Sequence, residues 1–430
     1  MSQPSTRYVE RLVDRWLVEL LADVPAVMVV GPRAGGKTTT ASRLAQSVLR
    51  LDQRQARDAV DADPDSVLAS FDRPLLVDEW QLSPEVLGAA KRSIDVDSDP
   101  GQFLFTGSAV DDAGIDQWPG TGRVIRLRLW GLTRREIEGT VAGPSFVDRL
   151  IQQIDDGDEV RFALPVNRPD IAGYVDRALD SGFPEALNRT SVRTRQVWLR
   201  SYIDHLVGRD VSLIGEVRQP GNLRRYLRAL AVTTGGVPSA TTLAESAAIS
   251  RVTAERYDRL LERLFVVESV PAWASNRLSR VARRPKRYVT DPAIAGVLLG
   301  ADRRAVLRDG DLLGKLVDTF VAAQLRPELE IGEMASFMYH LRQQDGRREV
   351  DLIIERADGA LVAIEIKASS TVNGHDARHL VWLRDQLNTP EPGGPGSTAP
   401  FRAGIVFYGG EFVRPLSERV WAVPICALWA

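Results

Sequence analysis

The residues Gly31-Pro32-Arg33-Ala34-Gly35-Gly36-Lys37-Thr38 carry the spacing G-x-x-x-x-G-K-T. That is the spacing of a loop that holds a nucleotide polyphosphate, with ATP or ADP and Mg²⁺ as the implied ligands. Glycines let backbone N–H groups turn inward around phosphate oxygens, and a following helix presents its positive end to them. Lys37 would neutralise the β- and γ-phosphates, the Thr38 hydroxyl would ligand Mg²⁺, and Thr39 continues the same turn. The alternative is a glycine-rich strand-to-helix turn that binds nothing. An apolar run before the loop, Ala26-Val27-Met28-Val29-Val30, and a helical pattern after it favour the phosphate reading.

A second set of chemical groups follows. Leu75-Leu76-Val77-Asp78-Glu79 is an apolar strand ending in two carboxylates. Asp78 would hold Mg²⁺ through water and Glu79 would orient and polarise the attacking water. Gln102-Phe103-Leu104-Phe105-Thr106-Gly107-Ser108 reads as another buried strand. Thr106 or Ser108 at its end would sense the γ-phosphate, or would only serve the turn.

Near the other end, Asp351 stands on one strand of an expected hairpin and Glu365 and Lys367 on the returning strand. A lone acid followed by E-x-K is the spacing of PD-(D/E)xK nucleases. Asp351 and Glu365 would bind Mg²⁺, with Lys367 placing the attacking water and Asp318, on a helix over 311–326, as a further acid. The same residues would equally bind nucleic acid without cutting it, or form a buried ion-pair network.

Several elements must position these groups. A helix over 6–22, with Tyr8, Leu12, Val13, Trp16, Leu17, Leu20 and Leu21 on its apolar side, should pack on the sheet that opens at Ala26. Strands are expected at 48–52 and 124–129. Residues 238–290 read as a winged helix-turn-helix. Ser250 caps its second helix, Val252, Tyr257, Leu260, Leu261 and Leu264 face the core, and two strands form the wing. The stretch 388–397, rich in Pro and Gly, reads as a surface loop.

Charge is unevenly spread. Residues 191–290 hold 18 Lys and Arg against 8 Asp and Glu, within a chain of net charge −2. A basic middle suits a polyanion, with Arg251, Arg256, Arg283, Arg284, Lys286 and Arg287 as the candidate nucleic-acid contacts. Pairing of these cations with acidic faces of neighbouring domains is the alternative, and leaves the middle as an inter-domain adaptor. At 430 residues, two to three domains are expected. A single cysteine, Cys426, excludes a disulfide framework. With no long apolar run and no signal-peptide pattern, a cytoplasmic protein without membrane partners is expected. His375 and His379 share helical spacing but lack Cys or acidic partners, so no zinc site is expected.

GPRAGGKTT, LLVDEWQLSPEVLGAAK, FLFTGSA, Gly122-Arg123 and SGFPEAL together resemble a family of prokaryotic AAA+-type P-loop ATPases with a C-terminal DUF4143 domain. The resemblance implies an α/β P-loop NTPase (AAA+-like) core over 1–190. A helical and winged-helix middle is expected over 191–300, and the resemblance implies a restriction-endonuclease-like α/β domain over 301–430. It further implies homo-oligomers in which an arginine reaches a neighbour's nucleotide, Arg123 and Arg209 being the candidates. The activity implied is ATP hydrolysis coupled to DNA or to a protein partner.

Overall fold

The apolar run Ala26–Val30 (β1) is buried along its whole length, as an inner strand of a parallel sheet must be. The computed structural model describes residues 8–107, 122–210, 219–276, 279–280, 283–343, 346–388 and 401–430. Ser108 and nearly all of 388–397 lie outside the described residues. The chain forms two compact units.

The first unit comprises Met1–Leu132 with Gly182–Glu185 and Arg263–Val266. Its remaining strands are Ser47–Arg50 (β2), Leu75–Asp78 (β3), Phe103–Thr106 (β4) and Val124–Arg128 (β5). All run parallel, in the order β2-β3-β4-β1-β5. β4 therefore lies between the strand that feeds the glycine loop and the strand that ends in Asp78. In register, Thr106 faces Asp78 on one side and Val29 on the other. The chemical groups of all three strands thus meet at one carboxyl edge of the sheet, where open α/β sheets bind ligands.

The N-terminal helix starts later than expected, at Asp14, and runs to Asp23. It buries Leu17, Leu20 and Leu21, but Trp16, expected on that face, is 40% exposed. Leu12 and Val13 are buried in the turn before it.

The second unit comprises Thr133–Ser181, Ala186–Glu262 and Val267–Ala430. Helices Ala240–Ser246 and Arg251–Arg263 are followed by the strands Val267–Val270 (β6) and Lys286–Val289 (β7), paired antiparallel. Ser239 and Ser250 cap the two helices, their hydroxyls accepting from Thr242 N and Thr253 N at 3.0 and 3.1 Å. The second helix buries Ala254, Tyr257, Leu260 and Leu261. Val252, expected in that core, is 76% exposed. It lies in the first turn, and the buried face begins with Ala254 instead.

This unit also contains a six-stranded mixed sheet. Its strands are Ser336–Gln343 (β8), Arg348–Arg356 (β9), Leu361–Lys367 (β10), Phe401–Tyr408 (β11), Arg414–Ser417 (β12) and Val420–Pro424 (β13). The order is β12-β13-β11-β10-β9-β8. The helix Gly310–Glu330 lays Leu316, Val317, Phe320, Val321 and Leu325 against Leu352, Ile354, Ile364 and Ile405 on one face. On the other face Leu380 and Leu383 join Ile353, Ala363 and Val406. With both faces covered, β10 reads as a nearly continuous apolar run.

Candidate nucleotide-binding site

Three glycines shape the loop after β1. A Cβ on Gly31, whose φ is +152°, would lie 2.0 Å from the carbonyl oxygen of Leu129. Gly36 has φ +97°, a conformation side chains resist. Gly35 closes an inner turn, its N–H donating to Pro32 O at 3.1 Å. The helix that follows, Lys37–Ala41, is short.

Lys37 is buried, and its ammonium donates to Gly31 O at 3.0 Å and Pro32 O at 2.8 Å. Burial pushes its pKa down to about 8, although Glu79 and Asp78 nearby favour the charged form. Lys37 is then cationic below about pH 8 and loses its charge above. If the charged form is the one that meets phosphate, ATP affinity should be flat up to that pH and weaken beyond it. Titration calorimetry across this range checks it: Lys37→Arg should flatten the profile, and a flat wild-type profile would exclude Lys37 as the titrating group.

Asp78 is buried, and its Oδ1 accepts from the Thr38 hydroxyl at 2.7 Å and the Thr106 hydroxyl at 2.6 Å. The loop, β3 and β4 are thus joined through one carboxylate oxygen. Glu79, the next residue, has left-handed backbone (φ 57°), and its carboxylate accepts from the Gln81 amide. Thr39, counted with the loop, is exposed. Hydroxyl and carboxylate oxygens side by side suit a hard cation such as Mg²⁺. No group of three or more His, Cys, Asp or Glu able to hold a metal occurs among the described residues. A cation here would therefore depend on phosphate oxygens for the rest of its shell, as Mg²⁺ commonly does.

Two residues that position the site had no role expected from the sequence. Arg11 is buried, and its guanidinium donates to Gly35 O at 2.9 Å and Trp130 O at 2.6 Å, bracing the loop against the segment after β5. In the sequence it falls within the helix expected over 6–22, whereas in the structure it precedes the helix that starts at Asp14. Gln81 is the other. Its place two residues beyond Glu79 is a signal visible only once the turn is known.

A family model described as AAA domain matches residues 23–138, and one described as Domain of unknown function (DUF4143) matches 313–428. The chain carries an AAA domain and a C-terminal DUF4143 domain. Between them, residues 171–305 match a Domain of unknown function (DUF8612). Uncharacterized protein Rv2008c of Mycobacterium tuberculosis and Uncharacterized protein Mb2031c of Mycobacterium bovis are each 29% identical over 433 residues. The match covers 99% of this chain and 86% of each relative. Among solved structures, a Walker-type ATPase of Pyrococcus abyssi aligns at TM-score 0.42 and 16% identity, over 69% of this chain and 98% of its own. A DNA replication initiation factor aligns at TM-score 0.24 and 12% identity, over 59% and 90%. No helix among the described residues is long and apolar enough to cross a membrane.

Within the AAA domain, Arg123 pairs with Asp95 at 2.5 Å. Arg209 lies in the π-helical turn Leu206–Asp210 of the second unit. In the middle segment the expected cationic wing divides. Arg283 and Arg284 are exposed, as are Arg251 and Arg256 on the preceding helix, where Arg251 pairs with Glu255 at 2.9 Å. Arg287, expected as an outward contact, turns back onto that helix, pairing with Asp258 and with Glu262 at 3.0 Å. Lys286 corrects the expectation further. It is 1% exposed, and its ammonium reaches Asp318 Oδ2 at 2.7 Å and Asp351 Oδ1 at 3.1 Å.

The acids of the DUF4143 domain meet around that lysine. Tyr288 donates to Asp318 Oδ1 at 2.8 Å, and Ile366 N–H donates to Asp351 Oδ2 at 2.9 Å. Lys367 donates to Glu365 Oε1 at 2.6 Å, while Glu365 Oε2 is buried without a hydrogen-bond partner. Burial raises Glu365 to about 8, with the charge of Asp351 adding to it against Lys367. Burial likewise raises Asp318 to about 6, opposed by Lys286.

Proposed function

We propose that this chain binds Mg²⁺-ATP at the loop 31–39, hydrolyses it, and couples nucleotide state to a nucleic-acid or protein partner. The observation that carries the reading is the shared carboxylate oxygen of Asp78. Thr38, from the glycine loop, and Thr106, from β4, both donate to it, with Glu79 next in the chain.

Backbone N–H groups of residues 31–36 would cradle phosphates, and the Lys37 ammonium would exchange its two loop carbonyls for phosphate oxygens. Thr38 and Asp78 would hold Mg²⁺, which when bound neutralises charge developing on the phosphates. Glu79 would accept the proton of an attacking water, and Thr106 would report on the γ-phosphate through its link to Asp78. Ser108 is proposed for the same role. An arginine from a neighbouring copy, Arg123 or Arg209, would complete the site in a homo-oligomer.

The same proposal takes the helix pair with β6 and β7 as a winged helix within 191–300, offering Arg251, Arg256, Arg283 and Arg284 to a polyanion. It takes the mixed sheet with its long helix, within 301–430, as restriction-endonuclease-like. A lone, buried cysteine and the lack of a long apolar helix among the described residues suit a cytoplasmic setting.

Steady-state phosphate release with Mg²⁺-ATP, with and without duplex DNA and with Lys37→Ala/Glu79→Gln as blank, tests this. Release above the blank that rises with DNA, and rises less at higher salt, is the expected result for a nucleic-acid partner. Release indifferent to DNA points to a protein partner. No release above the blank would overturn hydrolysis. It would leave a nucleotide-switched binding protein, a reading that the Gln81 hydrogen bond on the Glu79 carboxylate favours.

A further inference from the structure

The spacing of Asp351, Glu365 and Lys367 implies a divalent metal, and the residues around them do not fit one. All four carboxylate oxygens of Asp318 and Asp351 already accept a hydrogen bond. Tyr288 and Lys286 take the two of Asp318, at 2.8 and 2.7 Å. Lys286 and the Ile366 N–H take the two of Asp351, at 3.1 and 2.9 Å. The Lys286 ammonium is saturated too, its remaining reach being Asp351 O at 3.3 Å. An ammonium has three hydrogens, and three oxygens surround it. Glu365 keeps one free oxygen, Oε2, which alone is far short of the six oxygens Mg²⁺ requires.

We infer that Lys286 is the resident cation of this carboxylate cluster, that the cluster takes no divalent metal, and that the DUF4143 domain does not cut nucleic acid through it. The charge count supports this. One buried ammonium between two aspartates supplies the positive charge that a metal would otherwise bring, and two carboxylates this close cannot both ionise without it.

The lysine arrives on β7, from the segment matched by the middle family model, whereas its acids belong to the C-terminal one. It is one of several ties along the same path. Trp273 N–H donates to His340 O at 2.6 Å, the His340 ring contacts Arg284 O at 3.0 Å, and Arg280 grips both oxygens of Glu355. Trp273, Arg280 and Arg284 are thereby fastened along β8 and β9, and Lys286 is where the charge of this path enters the cluster. The cluster thus ties the two segments together where a cleavage site would stand open.

The experiment uses the full chain without nucleotide, so the loop at 31–39 contributes no phosphate-dependent metal site. Mn²⁺ binding is followed by the loss of its free paramagnetic resonance signal. Wild type, Asp351→Asn and Glu365→Gln should bind Mn²⁺ alike. Lys286→Met should gain a Mn²⁺ site that Lys286→Met/Asp351→Asn lacks, and its thermal midpoint should rise with Mn²⁺ where the wild type's does not. A wild-type Mn²⁺ site lost in Asp351→Asn or Glu365→Gln would overturn the inference, as would Mn²⁺-supported cutting of plasmid DNA lost in the same variants. A folded Lys286→Met that gains no site would remove Lys286 from this role. Should Lys286→Met fail to fold, the wild-type comparison with the two acid variants still decides.

Discussion

Glu79→Gln is expected to bind ATP with the wild-type Kd and to lower kcat by about 10²–10⁴-fold, the range a positioned general base contributes. The substitution keeps the size of the side chain and leaves an oxygen for the Gln81 amide to donate to, so the turn after β3 should survive. It removes only the group that can take a proton. Lys37→Ala should behave oppositely. It deletes a buried ammonium that lies over the loop, and the charge-assisted bonds it would make to phosphate are each worth about 1.5–3 kcal/mol. ATP affinity should fall roughly 100-fold, the equivalent of about 2.7 kcal/mol. Calorimetric binding and single-turnover hydrolysis, run on both variants, separate the two roles. Hydrolysis by Glu79→Gln at the wild-type rate would place the base elsewhere.

The convergence of these groups was legible in the sequence because they are close in the chain or lie at strand ends. The loop residues are contiguous, and Asp78 and Thr106 each end an apolar run whose parallel pairing brings them together. The order of the strands was not legible, since each apolar run looks like any other inner strand. Nor was the role of Arg11, whose partners Gly35 and Trp130 lie 24 and 119 residues away.

The C-terminal cluster was legible only in part. Asp318, Asp351, Glu365 and Lys367 do converge in the same region, but the spacing said nothing of Lys286, which comes from another supersecondary element. In the sequence Lys286 is one of a dense run of cations. Period-two alternation along β7 is what turns it inward with Tyr288 while Arg287 faces the helix before it. A charge run counted by composition hides such alternation. The same holds for Val252 and Trp16, whose helical spacing is apolar but whose turns lie at helix starts, where one face is not yet covered.

A deeper pair shows what long-range charge does for stability. Arg135 and Glu328 are each 1% exposed, and one guanidinium nitrogen lies 2.9 Å from both carboxylate oxygens. The other donors of Arg135 reach Thr140 O at 2.9 Å and Ala142 O at 2.8 Å, and Phe146 N–H donates to Glu328 at 2.8 Å. Arg135→Ala should cost about 3–5 kcal/mol, because it strands a buried carboxylate and several carbonyls. Arg135→Met with Glu328→Gln should cost less than the single change, since no unpaired charge remains. Burial already raises the Glu328 pKa against the opposing pull of Arg135, so losing Arg135 raises it further. An acid whose folded pKa is raised favours the folded state below its unfolded pKa and loses that benefit as pH rises through the folded one. The gap in urea midpoint between wild type and Arg135→Ala should therefore widen with rising pH and narrow in acid. A gap independent of pH would mean that the lost carbonyl hydrogen bonds, and not the stranded carboxylate, carry the cost.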